Sequence, residues 1–418
     1  MKILWITNII FPALCKVLSL PKPHVGGWMY GLAGQLVANS DIKLAVATVY
    51  KGNELKIFQL EGIRYFLLPH RSSSGYQNNL EPLWKIICRD FSPDIIHIHG
   101  TECPHGLACM RVYPKINYVV SIQGLVGICA RYYYAGLTTK DILTNITLRD
   151  ILRWDTLFHG KRSFATRGII EVEYIRRAKH VIGRTSWDHS HVMAINPDAT
   201  YYFCNETLRD GFYLAEKWDS NNKTNHSIFL SQAEYPIKGL HQVLKAVSLL
   251  KTEFPEIQIC VAGHNILNKT TMFDRLKFSG YGSYLIGLIK KLGMEGRVKF
   301  IGPLSEEKMI VEYRKAHLFI CSSSVENSPN SVGEAQLLGV PIIASFVGGV
   351  PDMITHGETG LLYRFEEVEM LAENIRQVFI DNHLTQRLSR QSIIIAEQRH
   401  NRIANCAQTI NIYDCIAD

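Results

Sequence analysis

Short, nearly unbroken apolar runs punctuate the first half of the chain. KILWITNII, KLAVATVY, IRYFLLP, DIIHIHG, YVVSIQG and HVIGRT each predict a buried strand. Stretches of helical length separate several of them, such as Met29–Ala38 and Leu83–Asp90. Strands that are apolar throughout, alternating with helices, argue for a parallel sheet covered on both faces. The polar stretch KWDSNNKTNHS, Lys217–Ser227, then breaks the pattern and is the best linker candidate. After it the rhythm restarts with SIFLSQ, a helix over Leu240–Glu253, IQICVAG, a helix around Tyr284–Leu292, VKFIG, HLFICSS and PIIAS. The segment Asn382–Asp418 reads as helical. The pattern therefore predicts an α/β chain with two doubly wound domains, over 1–216 and 226–392, and a C-terminal helix over 393–418 that packs back on the first. Such sheets place ligands at the carboxyl ends of their strands, and two that face each other leave a cleft.

Composition narrows this picture only slightly. A length of 418 residues is long for one core and comfortable for two. The net charge of +7 suits nucleotide phosphates, an anionic membrane face or nucleic acid, and equally a solvated surface. Ten cysteines include no CxxC pair, and Cys88, Cys260 and Cys321 sit in apolar runs, which reads as reduced thiols in a cytosolic protein. The N-terminus resembles a signal peptide on the surface, but Thr7, Asn8, Pro12 and Lys16 interrupt it, so residues 2–10 read as a strand. No run of 18 apolar residues occurs, so no helix should span a membrane. Aromatic and basic residues interleave over Gly127–Arg177. That region is either an acceptor-binding or membrane-surface segment, or a long amphipathic insertion packed on its own domain.

The chemistry concentrates in CSSSVENSPNSVGEAQLLGVPIIAS. HLFICSS predicts a strand, which puts Glu326 in a loop at its carboxyl end. Ser331 and Glu334 fit a capping box, so a helix should start near Ser331 and stop at Gly339. The backbone N–H groups of Asn330, Ser331 and Val332 would then converge on one spot, an anion site suited to a diphosphate. Pro329 removes one donor and stiffens the approach.

This segment resembles the E-x7-E motif of the large retaining glycosyltransferase family with the GT-B fold, the glycosyl transferases group 1. The resemblance implies two Rossmann-like domains facing across a cleft, the first binding the acceptor and the second the nucleotide-sugar donor. It assigns Glu326 to hydroxyls of the donor sugar and Glu334 to the ribose. YPIKGLHQVLKAV resembles the family's Lys-Gly motif, whose lysine, here Lys238, pairs with the donor diphosphate. An arginine expected five residues earlier is Ala233 here, and Arg184 is a candidate replacement. VGGWMYGLAGQL resembles the Gly-Gly loop, with Gly26 and Gly27 approaching sugar and phosphates. PDIIHIHG and VVSIQG resemble the family's strand ends near the reaction centre, making His99 and Gln123 candidate acceptor or sugar contacts. Gln123 stands where many members carry histidine. SFVGGVPDMITHGETGLLY resembles the end of the same module, with Gly348 and Gly349 beside the donor.

Three strand-end histidines, His97, His99 and His105, and Cys103 invite a zinc reading, but alternation puts His97 and His99 on one side of a strand mouth without partners at metal-site spacing. No D-x-D cluster is placed to hold a metal, so neither metal nor cofactor is expected beyond the nucleotide-sugar. The resemblance implies a retaining sugar transfer to a glycan or polyprenyl-linked acceptor, in bacterial surface polysaccharide or capsule synthesis. It further implies a cytoplasmic enzyme, with peripheral contact at the inner membrane face open and no nucleic-acid partner. A nucleotide-sugar epimerase or phosphorylase of the same fold and a catalytically weak nucleotide-sugar binder are the alternatives.

Overall fold

The computed structural model describes residues 1–21, 23, 26–39, 41–69, 80–269 and 278–417. Val25, at the head of the Gly-Gly stretch, and Asp418 lie outside them. The chain forms two compact units. One comprises Met1–Ile128, Phe164–Arg209 and His400–Asp418; the other comprises Cys129–Ser163 and Asp210–Arg399.

Among the described residues the first unit is built on eight strands: β1 (Lys2–Thr7), β2 (Lys43–Tyr50), β3 (Lys56–Leu60), β4 (Ile63–Pro69), β5 (Ile95–His99), β6 (Asn117–Ser121), β7 (His180–Gly183) and β8 (Thr200–Phe203). Their order is β3-β4-β2-β1-β5-β6-β7-β8. All neighbours are parallel except the β3–β4 hairpin at one edge. The central strands β1 and β5 are almost wholly buried, as near-continuous apolar runs predict. β3 and β8 lie at the edges with exposed positions, and the apolar pattern did not disclose them.

The second unit carries β9 (Ser227–Leu230), β10 (Gln258–Val261), β11 (Val298–Phe300), β12 (Leu318–Cys321), β13 (Ile342–Ser345) and β14 (Leu361–Tyr363). They form an all-parallel sheet in the order β11-β10-β9-β12-β13-β14. Leu240–Leu250 and Val368–Ile380 bury apolar faces in its core.

The predicted domain boundaries move in three places. Lys217–Ser227 is no free linker. The Trp218 indole donates to the Ala316 carbonyl at 2.8 Å, its backbone N–H to Leu338 at 2.7 Å, and Lys217 Nζ to the Leu337 carbonyl at 2.8 Å. These bonds dock the stretch on the second unit, so the division falls between Arg209 and Asp210. The aromatic-basic region also divides, and Cys129–Ser163 packs with the second unit rather than with the first. Finally, the predicted C-terminal helix breaks into Asn382–Arg399 and Arg402–Ala417, and only the latter belongs to the first unit.

Arg402–Ala417 is held by a buried polar chain. Tyr413 Oη accepts from the Trp5 indole at 2.9 Å and bonds His97 Nδ1 at 2.6 Å, while His97 Nε2 bonds Ser121 Oγ at 2.6 Å. Burial pushes the His97 pKa down to about 3, and in the second unit pushes His241 to about 4 and His317 to about 3. Unfolded, each would take a proton near pH 6.5. Their depressed folded values mean that acid favours the unfolded chain, which binds the proton first. Stability should therefore fall as the pH drops below about 6.5, by up to ~1.4 kcal/mol per histidine per pH unit. Unfolding midpoints measured between pH 7.5 and 5 should show this slope; a flat profile would contradict it.

Candidate functional site

In the second unit β9 and β12 are parallel neighbours, so the loops leaving their carboxyl ends emerge side by side. Lys238 follows β9 and Glu326 follows β12. Although 88 residues apart in sequence, Lys238 Nζ and Glu326 Oε1 lie 2.6 Å apart. Ser323 Oγ donates to the same carboxylate oxygen at 2.7 Å. Burial alone would lower the Lys238 pKa, but the Glu326 carboxylate outweighs it and holds the ammonium above its ordinary value. The pair is partly accessible, with side-chain exposures of 27% and 16%, so a ligand could reach it.

Two glycines let the backbone approach this pair closely. Gly239 ends the turn Pro236–Lys238 at φ 71°, and a Cβ there would fall 1.8 Å from the Ser322 carbonyl oxygen. Across the same contact, Ser322 Oγ donates to the Lys238 carbonyl at 2.8 Å and the Ser324 N–H to the Ile237 carbonyl at 2.7 Å. Gly348 has φ 52°, and a Cβ on it would fall 1.8 Å from the Glu326 carbonyl oxygen, which also accepts from the Gly349 N–H at 3.1 Å. Both loops are thus fastened from behind, leaving the side chains of Lys238 and Glu326 to meet.

A helix follows over Asn330–Leu338 and ends at Gly339, φ 76°, where the sequence places its stop. Its start differs from expectation. Pro329 is the N-cap and no side chain caps the helix, so Ser331 and Glu334 form no capping box. Proline's fixed φ already commits the chain to turn, which pre-empts the later serine. Val332 does not offer a free donor, because its N–H bonds the Pro329 carbonyl at 2.9 Å. Asn330 and Ser331, in the opening turn, have no intrahelical acceptor for their N–H groups. Glu334 is buried, 6% exposed. A short edge of two N–H groups without intrahelical acceptors therefore begins four residues beyond Glu326.

The other predicted site residues belong to the first unit. Gly26 has φ 81°, and Gly27 opens the helix Gly27–Asn39 with its Cα against the Arg209 side chain, where a Cβ would meet Cγ at 2.5 Å. His99 is buried and stacks on His97 at 3.8 Å between ring centroids, with Trp5 and Trp28 against its other sides. Burial, then His97 and Arg184, push its pKa well below the ordinary value, so it stays neutral. His99 and Arg184 line a cavity of about 30 Å³, room for about one water. The Gln123 carbonyl accepts from Arg184 at 3.0 Å. Arg184 does not fit as a substitute phosphate ligand. Its guanidinium pairs with Glu206 and donates to the carbonyls of Ile122 and Gln123, and the residue is only 4% exposed. Ala233 is wholly buried in the second unit's core, so that position offers nothing polar.

Sequence reasoning missed the serines. Ser322, Ser323 and Ser324 respectively bond the Lys238 carbonyl, the Glu326 carboxylate and, at 3.1 Å, the Tyr132 carbonyl. A run of three small hydroxylated residues directly after an apolar strand was the available signal. Tyr132 and Ala135 were missed too. His241 Nε2 bonds the Ala135 carbonyl at 2.8 Å, so the inserted Cys129–Ser163 segment touches the chain just after Lys238–Gly239 and just before Glu326. Among the described residues no three of His, Cys, Asp or Glu converge as a metal site. No helix among them is long and apolar enough to cross a membrane.

Residues 214–394 match the family model of the glycosyl transferases group 1. Over 188 residues the chain is 28% identical to a D-inositol 3-phosphate glycosyltransferase of Corynebacterium glutamicum, a stretch that is 44% of this chain and 42% of the relative. The chain thus spans less than half the length of the curated relatives it matches, a quarter in the case of the Corynebacterium efficiens enzyme. Among solved structures it resembles sucrose-phosphate synthase from Thermosynechococcus elongatus, with a TM-score of 0.74 at 16% identity over 100% of this chain and 99% of that one. It also resembles Anabaena HepE, solved in complex with UDP and glucose, with a TM-score of 0.67 at 17% identity over 99% of both chains. At these identities the likeness concerns the fold. The chain therefore has the two-sheet GT-B fold, and its residues 214–394, which carry Lys238, Glu326 and Glu334, match the model of the glycosyl transferases group 1.

Proposed function

We propose that the chain is a retaining glycosyltransferase. It moves a sugar from a nucleotide-diphosphate sugar to a hydroxyl of a glycan or lipid-linked acceptor, in the cytoplasm of a bacterium making surface polysaccharide. The observation that carries this reading is the contact of Lys238 with Glu326 beside the open first turn at Asn330 and Ser331. A cation, a carboxylate and two backbone donors gathered at strand ends match the needs of a sugar diphosphate. HepE, which was solved with UDP-glucose, makes that compound the first donor to try.

On this reading donor binding exchanges partners. Lys238 leaves Glu326 for the diphosphate, and Glu326 turns to the sugar hydroxyls. Glu334 takes the ribose, and the N–H groups of Asn330 and Ser331 hold phosphate oxygens. The bond from the anomeric carbon to the phosphate oxygen breaks as the acceptor oxygen bonds the same carbon from the same face. The acceptor proton passes to the departing phosphate. Glu326 and Glu334 stand at one helix N-terminus and so cannot flank the sugar for double displacement. Catalysis rests instead on fixed positive charge at the leaving group. No metal is required by this arrangement, and the free state of all ten cysteines agrees with a reducing compartment.

A panel of nucleotide sugars tested by thermal unfolding is the direct experiment. The true donor, at a hundred times its dissociation constant, should stabilise the protein by about 2.7 kcal/mol. It should also release nucleoside diphosphate slowly without acceptor, and NMR of the transferred sugar should show the donor's anomeric configuration. A panel with neither stabilisation nor nucleotide release would overturn the reading. Interconversion of the sugar without release would point to an epimerase instead.

A further inference from the structure

The insertion Cys129–Ser163 contains a short helix, Leu148–Leu152, whose polarity is inverted. Helices ordinarily bury their apolar side. Here Asp150 is the buried residue, 3% exposed, and its Oδ2 accepts from the Gly280 N–H at 2.8 Å and from Thr147 at 3.1 Å. Thr147 Oγ donates to the Phe278 carbonyl at 2.9 Å. The helix is therefore fastened to the second unit by polar bonds. Leu148, Ile151 and Leu152 share the opposite face and are 67%, 60% and 67% exposed. Trp154 follows at φ 51°, a left-handed conformation rare for a bulky side chain, and its indole is 76% exposed. Leu143, on the preceding helix Thr139–Thr144, is 56% exposed.

Charge in the insertion that carries this patch is one-sided. The insertion carries Arg131, Lys140, Arg149, Arg153, Lys161 and Arg162 against Asp141, Asp150 and Asp155. Each acid is engaged internally: Asp141 with Thr138, Asp150 as above and Asp155 with Arg149 at 2.6 Å. Arg131, Lys140 and Arg153 are exposed and form no ion pair among the described residues. An apolar face ending in tryptophan, with Arg153 next to that tryptophan and Lys140 on the helix of Leu143, has the chemistry of an interfacial element on anionic lipid.

We propose that the Leu143–Trp154 surface docks this protein on an anionic membrane, with Leu148, Ile151, Leu152 and Trp154 in the interfacial layer and Lys140 and Arg153 among the headgroups. This inference stands independently of the sugar-transfer reading. The protein is mixed with vesicles of phosphatidylethanolamine and phosphatidylglycerol, and separately with phosphatidylcholine vesicles, and sedimented. Binding should favour the anionic vesicles and weaken with salt. Tryptophan emission should shift to the blue on binding, and Trp154→Phe should remove that shift while retaining most of the binding. The triple variant Leu148→Ser, Ile151→Ser, Leu152→Ser should lose more than roughly tenfold in partitioning. The double variant Lys140→Glu, Arg153→Glu should lose roughly tenfold or more on the anionic vesicles alone. Unchanged unfolding midpoints show that both variants are folded. Equal binding by the triple variant and the parent, equal affinity for both vesicle types, or concentration-dependent self-association with no vesicle binding would each overturn the proposal.

Discussion

Lys238→Ala is expected to lower sugar transfer by roughly a hundred- to a thousandfold, the usual effect of removing one fixed donor from a developing anion. The loss should appear in turnover, because charge on the leaving diphosphate grows towards the transition state and the ammonium is matched to that growth. The same change strands Glu326, which is 16% exposed at its side chain and keeps Ser323 as its remaining donor. A moderate fall in stability, about 1–3 kcal/mol, should accompany it. Glu326→Ala should likewise abolish most transfer. The double variant should be more stable than the sum of the two singles, since neither charge is then left unmatched. Transfer rates and unfolding midpoints of the three variants form one cycle. Near-parental transfer by both single variants would remove Lys238 and Glu326 from the reaction.

Gly348→Ala and Gly239→Ala should be the most damaging single methyl additions near the site. Each places Cβ 1.8 Å from a backbone carbonyl oxygen, of Glu326 and Ser322 respectively. Neither oxygen can rotate away as a side chain would. Left-handed backbone at a non-glycine residue adds about 1–2 kcal/mol, and overpacking adds about 1–3 kcal/mol. The loops must shift, and with them Glu326 or Lys238. Gly296, also at positive φ but with open space where Cβ would stand, supplies the control: Gly296→Ala should carry the backbone cost alone. Calorimetry of the three variants distinguishes contact from conformation. Equal losses at Gly348 and Gly296 would contradict the close approach.

How much of this could be read from the sequence depends on how far apart the deciding contacts lie. Buried central strands announce themselves, because Ile3–Thr7 or Ile95–His99 meet apolar neighbours on both faces. β14 has only three residues, Leu361–Tyr363, and β3 alternates at an edge, so neither stands out from loops. The segment Glu326 to Glu334 is local and survives as a pattern, but its capping box did not, since Pro329 starts the turn two residues earlier. Lys238 and Glu326 could be named separately. Their contact was not legible, because it depends on β9 lying next to β12. The allegiance of Cys129–Ser163 was hidden for a related reason. It rests on Leu137 and Ile142 entering the second unit's apolar core and on single bonds such as Ser324 to Tyr132 and His241 to Ala135, contacts between segments far apart in sequence.

The clasp of Tyr413 on Trp5 and His97 has a consequence for the order in which the protein can be made. A ribosome delivers Trp5 and His97 early and Tyr413 only after all of Asp210–Arg399 has emerged. The unit that begins first must therefore wait, its sheet uncovered where Arg402–Ala417 will lie, while its neighbour is synthesised and free to fold. A premature stop just after Arg399 would leave the family-matched second unit complete and injure the first, the half whose coding sequence lies mostly upstream of the lesion.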